Sequence, residues 1–165
     1  MSALFEVDEL RISARKDDGN LTPIVKGVSF TVDRGDVIAL IGESGSGKTT
    51  IALSALGYTK PGLEFIGGEV RLEGEDVITM APDKQRALRG QRVAYLAQSA
   101  AATFNPALTI GEQVTESSVL HRILDQRQAN ERAKLLYQAL ELPDPEKLGR
   151  RYPHQVSGGQ LQRLM

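Results

Sequence analysis

The sequence predicts an α/β fold organised around one strand–loop–helix unit, and three consecutive stretches carry that prediction. Val37-Ile38-Ala39-Leu40-Ile41 is apolar and partly β-branched, too short for a helix, and reads as a buried strand. Gly42-Glu43-Ser44-Gly45-Ser46-Gly47-Lys48-Thr49 follows it and fits the phosphate-binding loop pattern G-x-x-x-x-G-K-[ST]. Thr50-Ile51-Ala52-Leu53-Ser54-Ala55-Leu56 then continues as a short helix pattern, with Gly57 where a C-cap would sit. That order aims backbone N–H groups and a helix N-terminus at one spot, which favours a polyphosphate.

Each residue type in the loop has a chemical reason. Gly42, Gly45 and Gly47 permit a close approach that a Cβ would block. Lys48 supplies a mobile cation that can follow β- and γ-phosphates. The Thr49 hydroxyl suits Mg²⁺ bridging those phosphates. Glu43 places a carboxylate beside the phosphates and is expected to face away from them. The candidate nucleotide site therefore runs through Gly42, Glu43, Ser44, Gly45, Ser46, Gly47, Lys48, Thr49 and Thr50. A glycine-rich turn that happens to precede a lysine would share the letters, but not the flanking strand and helix patterns.

The remaining elements follow in order. Alternating apolar residues predict strands at Leu4–Val7, Leu10–Ala14 and Val28–Val32, separated by the turn-like Lys16-Asp17-Asp18-Gly19-Asn20 and followed by Asp33-Arg34-Gly35. A glycine-rich connection spans Gly62–Gly68, then a strand Glu69–Leu72, a helix near Asp83–Arg89, and a strand Val93–Leu96 ending at Gln98. Beyond about residue 110 the pattern is helical, with Ile110, Val114, Val119 and Ile123 at mixed spacing and Ala133, Leu136 and Leu140 at a cleaner period. Pro143 and Pro145 are expected to end that second helix.

Composition narrows the function classes. A chain of 165 residues has the length of one ordinary domain. A net charge of −1 advertises no polyanion-binding surface, so the basic clusters Lys84–Arg92 and Lys147–Arg151 read as solvated faces and no nucleic-acid partner is expected. Absence of cysteine excludes disulfides and thiolate metal sites and fits a reducing compartment. No apolar run approaches the roughly 20 residues that span a bilayer, and the N-terminus lacks a signal-peptide core.

A second segment, Arg151-Tyr152-Pro153-His154-Gln155-Val156-Ser157-Gly158-Gly159-Gln160-Leu161-Gln162-Arg163, carries more chemistry. Ser157 is a good N-cap, and Gly158-Gly159 leave the start of its helix uncovered, which makes a second anion site. On local chemistry alone, an ordinary serine-capped helix in a loop-rich region is the simpler reading. His121 and His154 read as surface residues.

Val156-Ser157-Gly158-Gly159-Gln160 resembles the signature motif of ATP-binding cassette (ABC) ATPases, which normally carry leucine in place of Val156. Together with the phosphate loop about 110 residues earlier, the match is specific and covers nearly the whole chain. Gln98, before Thr103-Phe104-Asn105-Pro106, resembles that family's glutamine loop. The wording Gly-Glu-Ser-Gly-Ser-Gly-Lys-Thr, the Phe-Asn-Pro stretch and Tyr-Pro-His-Gln before the signature are similar to the oligopeptide/dipeptide importer branch.

The resemblance implies a P-loop NTPase core with an N-terminal antiparallel β subdomain and a helical subdomain. Residues 1–34 would be the β subdomain, 35–98 the P-loop core, and 99–165 the helical subdomain and signature. It also implies ATP and Mg²⁺, a head-to-tail pair with a second nucleotide-binding domain, and membrane permease subunits. Lys48 and Thr49 would hold the near side of the nucleotide, Thr49 and Gln98 would meet the metal, and Ser157, Gly158, Gly159 and Gln160 would reach nucleotide bound by the partner. The chain would sit in the cytoplasm, peripheral to the membrane through the permease.

Departures from the family are equally specific. An adenine-stacking aromatic is usual after the second N-terminal strand; that slot holds Ala14, with Arg15 as the alternative stacking group and weaker base contact as the expectation. Ser99-Ala100 stands where importers often carry an acidic residue and proline. The family's apolar strand ending in Asp-Glu and its histidine switch have no counterpart in these residues, so the resemblance implies a domain lacking its C-terminal part, able to bind ATP but not to turn it over alone. Such a chain is expected to leave an apolar sheet edge open and to be marginally stable. The leading functional reading is the ATP-binding subunit of an importer of peptides or similar small solutes. The alternatives are a soluble ABC ATPase of the DNA-repair or translation type, and a non-hydrolysing nucleotide-binding fragment that regulates an intact homologue.

Overall fold

A computed structural model describes residues 3–165. The chain divides into two units, residues 1–93 and 94–165.

The first unit is built on a four-stranded antiparallel sheet of order β2-β1-β3-β4. Its strands are β1 (Phe5–Arg15), β2 (Leu21–Val32), β3 (Leu63–Leu72) and the short β4 (Glu75–Asp76). The two predicted strands Leu4–Val7 and Leu10–Ala14 are one strand interrupted by a bulge. Glu9 takes a positive φ of 46° there, and its N–H donates to the Ser29 hydroxyl at 2.8 Å. Gly68 belongs to the same irregularity: a Cβ on it would lie 2.3 Å from the Glu9 carbonyl oxygen. Strand β3 therefore runs through the glycines that suggested a connection.

One face of this sheet carries Val7, Leu10, Ile12, Val25, Val70 and Leu72, which pack with Ile51, Val77 and Leu88 into a core. Ile51 comes from α1 (Lys48–Ser54) and Leu88 from α2 (Pro82–Leu88). The chain beyond α1 turns at Gly57, whose φ of 60° and Tyr58 N–H donation to Leu53 O match the expected glycine stop.

The expected strands Val37–Ile41 and Val93–Leu96 are not sheet strands among the described residues. Val37 and Ile41 are 95% and 93% exposed, and Val93 makes only an isolated bridge with Arg89. Apolar β-branched composition signals burial, but a buried strand forms only when neighbours pair with it. Among the described residues the paired strands are β1 to β4, and the Val37–Ile41 run has no partner in that sheet.

The second unit is helical. It comprises α3 (Ala100–Thr103), α4 (Ile110–Leu120), α5 (Gln126–Ala139), α6 (Pro145–Leu148), a 3-10 turn at Pro153–Gln155 and α7 (Gly158–Leu164). Capping boxes start α4 at Thr109 with Glu112 and α5 at Asp125 with Gln128. The buried stripe of α5 is Ala129, Ala133 and Tyr137, at four-residue spacing, while Leu136 and Leu140 face solvent. The expected face was thus one residue step out of phase. The helix also ends before either proline, at Leu140 and a left-handed Glu141, and Pro145 opens α6 instead.

The core of this unit gathers Ala100, Ile110, Ala133, Tyr137, Leu142, Leu148, Leu161 and Leu164. Gly111 and Gly149 meet backbone to backbone: Gly111 N–H donates to Gly149 O at 2.8 Å, and a Cβ on Gly111 would lie 2.7 Å from that oxygen. Ile110 N–H donates to Arg151 O at 2.9 Å, so the opening amides of α4 hold the segment that leads to α7.

The Tyr137 hydroxyl is buried without a hydrogen-bond partner, and burial raises its pKa. Replacing it removes an unsatisfied polar atom and little volume. Tyr137→Phe is therefore expected to stabilise the chain by up to about 1 kcal/mol, read as a raised unfolding midpoint; a lowered midpoint would show that the hydroxyl is held after all.

Candidate functional site

The phosphate-loop residues Gly42–Thr49 run into α1 as the sequence pattern requires, although no sheet strand leads directly into them. The first intrahelical bond runs from Ile51 N–H to Gly47 O at 2.9 Å, so the amides of Lys48, Thr49 and Thr50 precede it. Gly47 is left-handed, with φ 89°, and packs against β2: a Cβ on it would lie 3.4 Å from both Ile24 O and Val25 Cγ2. Gly45 is also left-handed, with φ 83°, and a Cβ there would meet nothing within 4 Å. The loop is thus pinned from behind at Gly47 and open at Gly45. A Cβ on Gly42 would lie 2.8 Å from the Ser46 hydroxyl, which would have to rotate away.

Lys48 is turned back into the loop. Its ammonium donates to Gly42 O at 2.8 Å, Glu43 O at 2.6 Å and Ser46 Oγ at 3.3 Å. Three acceptors converge on the ammonium of a half-buried lysine. Thr49 is exposed and its hydroxyl accessible, whereas Thr50 is buried and can offer a ligand only its backbone.

Beside the loop lies a cavity of about 430 Å³, bordered by Ile24, Val25, Lys26, Gly45, Ser46 and Ile51. Its β2 wall was not among the expected site residues. The alternation that marks Val28–Val32 breaks at Lys26-Gly27 and Pro23, which hid the first half of that strand.

Arg15, the alternative stacking group, is paired within the sheet. Its Nε and Nη2 are committed to the Glu64 carboxylate at 2.6 and 2.7 Å. Pairing of β1 with β3 is regular from Ile12 to Ala14, so Arg15 points away from the face that carries Ile12 and Ala14. The phosphate loop packs on that core face, through Gly47 and Val25.

The signature segment lies in the second unit. Ser157 caps α7 in a full capping box: its hydroxyl accepts from Gln160 N–H at 3.3 Å, and Gln160 Oε1 accepts from Ser157 N–H at 2.9 Å. A Cβ on Gly158 or Gly159 would meet nothing within 4 Å, which leaves this backbone open to approach. Leu161 and Leu164 bury the opposite side of α7, and Arg163 Nη1 donates to Leu140 O at 2.9 Å at the end of α5. Gln98 is exposed in the same unit. His154 is exposed and stacks on Tyr152 with ring centroids 5.8 Å apart. No cluster of three or more His, Asp or Glu residues suited to a metal occurs among the described residues.

A larger cavity, about 640 Å³, lies in the second unit between α4, α5 and α6, and none of the expected site residues lines it. Lys134, on its wall, is held by Glu131 and Glu146 at 2.9 and 3.0 Å. In the basic clusters, Arg92 pairs with Glu73 and Glu75, and Arg151 with Asp144.

Two outcomes follow. Ser157→Ala is expected to cost α7 about 1 kcal/mol and to speed amide exchange at Leu161, whose N–H bonds Ser157 O; unchanged exchange would contradict the cap. The Arg15 hydrogen bonds hold Glu64 below its ordinary value of 4.5. A depressed carboxylate stabilises the fold above its unfolded pKa, and that contribution disappears as pH falls through the folded one. Glu64→Gln is therefore less stable than wild type near neutrality, and the difference vanishes in acid. The gap is small because both partners are about half exposed, at 53% and 42%. A difference that grew in acid would refute the sign.

Comparison with known proteins agrees with this geometry. The model of the family described as ABC transporter matches residues 25–165. A Brucella abortus (strain 2308) protein, provisionally named as a peptide import ATP-binding protein, is 41% identical over 162 residues, covering 98% of this chain and 48% of its own. The oligopeptide transport ATP-binding protein AppD of Bacillus subtilis (strain 168) is 36% identical over 166 residues, covering 100% and 50% respectively. The chain thus spans about half the length of these curated relatives. Among solved structures, the dimeric ATP-binding cassette MJ0796 in a post-hydrolysis state with ADP and Pi superposes with a TM-score of 0.79 at 20% identity. That match covers 97% of this chain and 66% of the other, and it establishes the α/β cassette fold. The chain belongs to the ABC transporter family.

Proposed function

We propose that this chain forms the nucleotide-binding part of an ATP-binding subunit that drives import of peptides or similar small solutes. The observation that carries the reading is Lys48: one ammonium converges with the loop's carbonyls and hydroxyl at a turn open to ligand. The donor set fits a polyphosphate, since the loop supplies a cation, Cβ-free backbone and the leading amides of α1. Bound with ATP, Mg²⁺ would supply charge neutralisation on the phosphates.

Within that site, Lys48 exchanges its carbonyl partners for phosphate oxygens, and Gly42–Gly47 approach the phosphates through backbone alone. The Thr49 hydroxyl would hold the metal, and Gln98 keeps the metal-contact assignment that the family resemblance gives it. Thr50 contributes its amide. Ser157, Gly158, Gly159 and Gln160 serve nucleotide held by a second domain, arranged head to tail. To do so, Ser157 Oγ and Gln160 give up part of their capping box. We assign these residues binding and positioning, and no catalytic base. The partition into residues 1–34, 35–98 and 99–165 belongs to the same reading. So does a place on the cytoplasmic face beside permease subunits; no helix among the described residues is long and apolar enough to cross a membrane.

Equilibrium titration with MgATP tests the central assignment. Lys48→Ala is expected to weaken binding by about a hundredfold, as loss of a charge-assisted contact at a shielded site would. Affinity equal to wild type would end the phosphate-loop reading.

A further inference from the structure

We propose that Arg89, supported by Gln85, is a positioning residue for the phosphate loop: it holds the turn that follows α1 by its carbonyls and so fixes where Lys48 and the leading amides point. This rests on the phosphate-loop reading above and extends it to side chains that touch no nucleotide.

Arg89 follows α2 and is half-buried. Its Nε donates to Leu56 O at 3.0 Å and its Nη2 reaches Gly57 O at 3.5 Å, in the turn that ends α1. The same Nη2 lies 3.4 Å from Gln85 Oε1. The Gln85 amide nitrogen donates to Val77 O at 2.8 Å and lies 3.4 Å from Ile78 O. Gly57 is closed in: a Cβ on it would lie 2.4 Å from Val77 O and 2.8 Å from Gln85 Nε2. The tail of α1, the Val77–Ile78 segment and the end of α2 are thus tied at one point. Ile51, Val77 and Leu88 supply the apolar floor beneath it.

The physical need for such a tie is plain. Seven residues make a helix of about two turns, too short to hold its own direction. The negative end of its dipole faces the Leu56–Gly57 turn just beyond it, where a guanidinium is favourable and its fork can span two acceptors. At about 1.5 Å per residue, Leu56 and Lys48 stand about 12 Å apart along the axis, so a tilt of about 10° at the tail moves the loop by about 2 Å. Hydrogen bonds to a phosphate do not survive that displacement.

Calorimetric titration with MgATP and with magnesium tripolyphosphate, which lacks base and sugar, tests the proposal on the full chain. Arg89→Ala is expected to weaken both ligands by about tenfold, the worth of one or two charge-assisted hydrogen bonds, and added guanidinium ion is expected to restore part of the loss. Titration well below each variant's unfolding midpoint keeps lost stability from imitating lost affinity. If Arg89→Ala does not fold, Gln85→Met decides: it keeps the volume, removes the amide bonds to Arg89 and Val77, and should weaken both ligands several-fold. A folded Arg89→Ala, or failing that Gln85→Met, that binds like wild type while Lys48→Ala does not would overturn the positioning role and leave the loop assignment standing. Lys48→Ala with wild-type affinity would overturn both.

Discussion

The ammonium of Lys48 brings a full positive charge into a loop whose other polar groups are mostly backbone dipoles, and the local structure is arranged around that charge. Gly42 O and Glu43 O turn toward it, and Ser46 adds its hydroxyl. These three acceptors tie six residues of chain that have little core of their own to a single cation. Gly47 rests on β2 because no side chain keeps it away, and α1 starts from that support. A phosphate has to compete with carbonyls already in place, which favours ligands of high charge over neutral ones.

Helix ends are treated alike in the two units. Arg89 bonds the carbonyls that follow α1, and Arg163 bonds those at the end of α5. Each arginine comes from a different helix, so each bond joins two elements while meeting a helix's negative end. The amides at the two starts of interest are left nearer to solvent, beside glycines with open space around them at Gly45, Gly158 and Gly159. Support comes from the rear and access is kept at the front.

Much of this was legible because it is local. A glycine loop entering a helix, a serine with glutamine three residues on, and Gly57 as a stop are short-range patterns, and each is found where the letters place it. What failed was non-local. Val37–Ile41 and Val93–Leu96 have the composition of strands, but pairing depends on partners that composition does not specify. Gly67-Gly68 reads as a turn, yet both lie within a strand paired to β1, and Gly68 is where Glu9 O approaches too closely for a Cβ. The β2 wall of the loop and the hold of Arg89 on α1 depend on segments tens of residues apart, and no spacing rule reaches them. The pairing of Arg15 with Glu64, on another strand, likewise has no local signal in the sequence.

The contact of Gly111 with Gly149 has a mechanical meaning. Most packed elements can slide by fractions of an ångström because side chains change rotamer and absorb the strain. Here two backbones touch with nothing between them, and one short amide–carbonyl bond closes the gap. Such a joint has no soft torsion to spend. Any push on the start of α4 is delivered undamped to the chain entering Tyr152 and Ser157, so this corner of the helical unit moves as a stiff coupling rather than a cushion.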